Sequence, residues 1–238
     1  MKSHSGYHSC TKCIIKGIYN SHRVCFPGTE NSLRTDESFH LRSQKEHHIQ
    51  LNAALKELNI GCVTKFPIDY MHCVLLGVTR QMLNCWIKLR KKECSLKSNA
   101  ITAINENLKE IRKCLPIEFA RKQRTLHELE HWKATEFRMF LCYTGLAALH
   151  DILPKKYYQH FLLLVCAIRI LSNPKDCVVN NNCASQLIKE FVELFITLYG
   201  TEQVSYNVHS LLHLSNDVKE YGNLNNYSAF KFENFMQI

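Results

Sequence analysis

The chain has 238 residues, 46% of them hydrophobic with only 8 Gly and 5 Pro, a composition that supports a packed core and excludes collagen-like or low-complexity polymers. No stretch reaches the roughly 18 to 20 apolar residues of a membrane span, and the opening MKSHSGYHSC has no apolar run of the kind a secretory leader needs. The 30 Lys and Arg against 21 Asp and Glu suit a polyanionic partner such as nucleic acid, and 12 Cys without a leader read as the reduced thiols of an intracellular protein.

From residue 1 to about 45 the chain is irregular, rich in Ser, His and Cys, so this section needs support other than a large core. RVCF (23 to 26) and GCVTKF (61 to 66) have the composition of short edge strands. From about 46 to 226 the apolar spacing is helical. Helices are predicted at 70 to 90, then along Ile101, Ile104, Leu108, Ile111 and Leu115, capped by Ser98 or Asn99 and stopped by Pro116. Further helices are expected at 126 to 149, at 157 to 171, along Leu187 to Leu198 with Gly200 closing the run, and at 203 to 220. Residues 227 to 238 turn helical again at the end of the chain. The fold class is mainly α, with few short strands.

Four groups of residues could carry chemistry. GYHSCTKC places Cys10 and Cys13 in a CxxC spacing that can offer two thiolates to one tetrahedral Zn²⁺, with Cys25, His22, His47, His48 and His72 as candidate partners; ordinary thiols are the alternative. In FPIDYMH, Asp69 is a good helix cap for the His72 amide, and the two side chains also lie close enough to serve a metal or phosphate. HSLLH sets His209 and His213 on one helix face, but Ser210 stands where a metalloprotease has its glutamate, so buried, hydrogen-bonded histidines are the default reading. Glu233, between Phe230, Phe232 and Phe235, is an exposed acid beside an aromatic stripe, or an inward carboxylate that calls for a cation such as Mg²⁺. The basic runs at Lys88, Arg90, Lys91 and Lys92 and at Arg121, Lys122 and Arg124 are solvated helix ends or DNA contacts.

Taken in order, GYHSCTKC, RVCFP, LRTDESF, FPIDYMHCVLLGVTR, SYNVHSLLHLSNDVKEYG and SAFKFENFMQ resemble the DDE transposases of the CACTA/En-Spm and Chapaev-related group, in the animal type. The resemblance implies a ribonuclease-H-like core with a long helical insertion, here residues 46 to 226, ahead of a final helix starting at 227. It also implies two Mg²⁺ ions held by two aspartates and a glutamate, DNA as partner, and a nuclear location. Glu233 matches the final acid, Asp69 and His72 the family's Asp-x-x-His signature, and Cys10 with Cys13 its cysteine pair. The family's two aspartates lie ahead of that pair, whereas the first acid here is Glu30. The expectation is therefore a transposase fragment that is inactive by itself, that leaves apolar surface uncovered, and that could join a longer copy. The alternatives are a domesticated DNA- or protein-binding module and a small metal hydrolase built on HSLLH and Asp69, which lacks a general base.

Overall fold

The computed structural model describes residues 3–49, 60–89, 93–119 and 121–235. Its architecture is mainly helical, with one antiparallel hairpin, β1 (Ile18–Asn20) and β2 (Arg23–Cys25), in which Tyr19 faces Val24. The predicted RVCF strand is thus β2. GCVTKF forms turns instead, because Asp36 takes the amides of Val63 at 2.6 Å and Thr64 at 3.1 Å, donors that a strand would give to a neighbour. Among the described residues no sheet of the ribonuclease-H type accompanies the hairpin.

After α1 (Asp36–His40), the helical part begins at FPIDYMH. Asp69 caps α2 as predicted, its carboxylate accepting the His72 amide at 2.8 Å. α2 (Met71–Thr79) is a wide, π-type helix that runs without a break into α3 (Arg80–Lys88). α4 (Ser98–Cys114) buries Ile104 and Leu108, two positions of the predicted stripe. Its start differs from expectation: Lys97 is the capping residue, Ser98 and Asn99 lie inside the first turn, and the Asn99 side chain accepts the adjacent Ala100 amide at 2.9 Å.

The segment expected as one helix at 126 to 149 is a short 3₁₀ turn, Leu126–His131, broken by extended backbone at Trp132 and Lys133. α5 (Ala134–Met139), a π-type stretch Phe140–Thr144 and α6 (Gly145–Leu149) follow. α7 (Lys155–Ser172) lies along α9 (Asn181–Tyr199), with α8 (Asp176–Val179) between them in the chain. Gly200 ends α9 with φ of 99°, the left-handed region that favours glycine. The chain then forms α10 (Tyr206–Ser210), a 3₁₀ turn Leu211–His213 and α11 (Leu214–Tyr221), the run expected at 203 to 220. A Cβ at Gly77 would meet the Asn207 side chain at 2.5 Å, so glycine lets α2 approach α10 closely.

These helices share one apolar core, in which Trp86, Trp132, Phe137, Phe140, Phe161, Phe191 and Phe195 are all buried. Each large side chain removed from water contributes about 1.5 to 3 kcal/mol, so this cluster carries most of the stability of the helical part, while Ile117, Val178, Val179 and Phe232 stay exposed. The N-terminal section has far less: its separate core is Cys10, Cys13, Ile15 and Phe26, with Val24 and Tyr206 packed at its edge. No helix among the described residues is long and apolar enough to cross a membrane.

Candidate functional site

The N-terminal section reaches the helical part through backbone and thiol. The Phe26 amide donates to Val204 at 2.8 Å and the Cys25 thiol to the Glu202 carbonyl at 3.4 Å, which lays β2 beside the start of α10. Phe26 also packs edge-on against Tyr206, with ring centres 6.1 Å apart. This docking turns the CxxC loop toward α10 and α11.

There Cys10, Cys13, His209 and His213 converge, all four buried, with their ligand atoms within 4.8 Å of one another. The sulfurs are 3.5 Å apart and the two Nε2 atoms 3.3 Å. Cys10 Sγ lies 3.4 Å from His213 Nε2, and Cys13 Sγ 3.3 Å from His209 Nε2. A tetrahedron with Zn–S of about 2.3 Å and Zn–N of about 2.05 Å has edges of roughly 3.8, 3.3 and 3.6 Å for S–S, N–N and S–N. The cluster therefore has both the donor set and the spacing to hold a structural metal such as zinc.

Its electrostatics point the same way. The hydrogen bond from the Cys13 thiol, with others from His209 and His213, lowers the Cys10 pKa against the opposing cost of burial. The hydrogen bond it gives Cys10, then burial and the negative charge favoured on Cys10, raise the pKa of Cys13. A divalent ion there would take both sulfurs as thiolates.

Buried cations brace the loop from outside. Arg34 donates to the carbonyls of Cys10 at 3.2 Å and Cys13 at 3.0 Å, and to Gln44 at 2.6 Å. Lys12, inside the CxxC, pairs with Asp217 at 2.7 Å, with both side chains at most 8% exposed. Asp217 lies one helical turn beyond His213 and also accepts the Ile68 amide at 2.7 Å. The ion pair thus locks the cysteine loop to the histidine helix.

The partners expected for Cys10 and Cys13 are elsewhere. His22 sits exposed in the β1–β2 turn with φ of 63°, and the Cys25 thiol is spent on backbone carbonyls. His47 is buried with Nδ1 on the His8 carbonyl at 2.7 Å, and burial pushes its pKa down to about 4. His48 packs at a tilt against Phe39, with ring centres 4.8 Å apart. His72 is turned the other way: its Nδ1 lies 2.6 Å from Asp69 Oδ2 and its Nε2 3.2 Å from Glu233 Oε1. The residues missed as zinc partners, His209 and His213, carried a signal in their i, i+4 spacing.

α12 (Phe230–Phe235) carries Glu233, whose side chain is about half exposed, while Phe230 packs on the core and Phe232 faces solvent. The Phe235 side chain lies outside the described residues. Of the basic candidates, Arg124 is structural: it grips the fully buried Glu136 carboxylate at 2.9 and 2.7 Å. Lys88 pairs with Glu130 at 2.5 Å on the surface. Arg121 and Lys122 are exposed, and Arg90, Lys91 and Lys92 lie outside the described residues. No protein-family model matches the chain, and neither a curated protein nor a solved structure shows significant similarity to it.

Proposed function

We propose that these residues are a zinc-tied helical region and terminal acid of a DDE transposase of the CACTA/En-Spm and Chapaev-related group, inactive on DNA by themselves. The observation that carries this reading is that Asp69 and His72, from the start of the helical part, meet Glu233 on α12, so the signature residues and the final acid of the resemblance form one surface. Zinc at Cys10, Cys13, His209 and His213 is structural, since four protein ligands leave no open position for a substrate. Glu233 is the third acid of a site that holds two Mg²⁺ in the parent enzyme. One carboxylate cannot build such a site, because each ion needs several oxygen ligands.

Incubating the purified chain with Mg²⁺ and duplex DNA tests the inactivity; no nicking is expected, and cleavage that disappears in Glu233→Ala would overturn it. Parentage is tested by sequencing the transcript through both flanks. An in-frame upstream segment with two aspartates before the cysteine loop supports the transposase reading, and a continuous unrelated domain there refutes it.

The shared apolar core and the exposed Arg121 and Lys122 favour a second reading, a domesticated module that binds DNA without cutting it. A log–log salt slope of about −0.9 per phosphate contact, reduced by Arg121→Ala with Lys122→Ala, is the outcome that reading requires.

A further inference from the structure

On the surface, Lys88, Lys109, Lys113, Lys156 and Lys189 each pair with a glutamate at 2.5 to 2.8 Å. Arg138 on α5 and Arg169 on α7, both exposed, do not: among the described residues neither has a carboxylate within ion-pair reach, and Glu136, two positions before Arg138, is taken by Arg124. The Arg169 guanidinium instead donates to the Cys142 carbonyl on the π-type stretch, and that of Arg138 lies over the Phe230 ring, 5.9 Å from its centre. Both charges bear on the Cys142 thiol, where they oppose the rise that burial causes. Arg138, Cys142 and Tyr143 also all act on the buried Tyr70 hydroxyl. The two guanidinium groups therefore converge on one patch, held by a carbonyl and a ring, with their positive charge left uncompensated.

Exposed rings border this patch. Tyr143, next to Cys142, is 53% exposed and stands edge-on against Phe119, with ring centres 5.8 Å apart. α12 adds the exposed Lys231 beside Phe230, and Phe232, which is 68% exposed. Planar cations without an acid match phosphate oxygens, and a fixed, exposed ring matches the face of a base. A duplex hides its base faces inside the stack, whereas an unpaired strand offers phosphates and faces together. We propose that this patch binds a single strand of nucleic acid, with Arg138 and Arg169 on its phosphates and Tyr143 stacked on a base. The proposal goes beyond the readings above and does not rest on them: it concerns other residues than Arg121 and Lys122 and an unpaired strand instead of a duplex.

The test follows the fluorescence anisotropy of labelled oligothymidylate and oligouridylate, each of about 20 nucleotides, and of a DNA duplex of the same length, as the full, zinc-loaded chain is added at several salt concentrations. At least one single strand is expected to bind about fivefold or more tighter than the duplex, and the tighter of the two identifies DNA or RNA as the source of the ligand. Tyr143→Ala should weaken that binding at least about fivefold, and Tyr143→Phe, which keeps the ring, by less than about twofold. Arg138→Gln with Arg169→Gln should reduce the log–log salt slope by about 1.4, from two phosphate contacts at about 0.7 each. Lys109→Ala, which removes a paired cation, should leave the affinity unchanged. If Arg169→Gln lowers the melting temperature by loosening the π-type stretch, Arg138→Gln with Lys231→Gln takes its place, with the same slope expected. Duplex bound as tightly as either single strand overturns the proposal, as does single-strand binding that survives both the arginine and the Tyr143→Ala changes, and as does no binding at about 50 mM salt. None of these results bears on the transposase reading, which is decided by the sequence upstream.

Discussion

Removing the metal from the Cys10, Cys13, His209, His213 cluster should loosen the whole chain, since the N-terminal section's own core cluster is no more than Cys10, Cys13, Ile15 and Phe26, two of them the ligands themselves. The link between Cys13 and His209 closes 196 residues of chain. Because the metal binds the folded cluster and is released on unfolding, its contribution follows mass action, about 4 kcal/mol when free zinc stands at a thousand times its dissociation constant. In a chain of this size each kcal/mol moves the melting temperature by about 2 to 4 °C, so chelation should lower it by roughly 10 °C. The assay is thermal unfolding of one preparation with and without chelator, with bound zinc measured by mass spectrometry. One zinc per chain is expected, and none in Cys13→Ser or His213→Ala. A melting temperature that stays within about 2 °C after complete zinc removal would refute the reasoning, as would full zinc occupancy in either variant.

Asp217→Asn strands the Lys12 ammonium in a buried site and should cost about 3 kcal/mol in urea unfolding, whereas Lys12→Met with Asp217→Asn, which removes the charge and keeps an acceptor for the Ile68 amide, should recover part of that loss. His160 is buried against Phe191 and its pKa is held down to about 4 by burial, so as pH falls the unfolded chain takes up the proton first. His160 should therefore contribute about 1.4 kcal/mol per pH unit to the decline of stability between pH ~6.5 and pH ~4, a contribution that His160→Phe should remove while that of His47 persists in parallel denaturation curves. Glu136→Gln leaves Arg124 without its carboxylate and should destabilise by about 2 to 3 kcal/mol in chemical denaturation, while Lys88→Ala, which breaks only a surface pair, should change stability by less than about 1 kcal/mol.

Local physics was legible in the linear chain. The stripe at Ile104 and Leu108 and the stop at Gly200 were readable because they depend on helical spacing and on one residue's φ. Asp69 as a cap was readable because its partner, the His72 amide, is three residues away. GCVTKF failed as a strand because the donors at Val63 and Thr64 were claimed by Asp36, 27 and 28 residues earlier, and composition carries no trace of that.

The candidate site divides along the same line. CxxC and HSLLH were each visible as half a metal site, but nothing local says that they belong together. His209 and His213 are no nearer to Cys10 in sequence than many other histidines, and His22, His47 and His48 are closer to it. The sequence by itself determined the ligand types and their pairwise spacing within a turn. Only the tertiary structure decided which pairs meet, because that depends on Phe26 and Cys25 docking beside Val204 and Glu202, on Gly77 admitting α10, and on Lys12 finding Asp217. It likewise brought Glu233 to His72, since the direction of α12 is set by packing of Phe230 on the core and by the Asp69 bond to Ala229. Side-chain spacing is set by backbone geometry within a few residues, whereas contact across nearly 200 residues is set by the shape of the packed core between them.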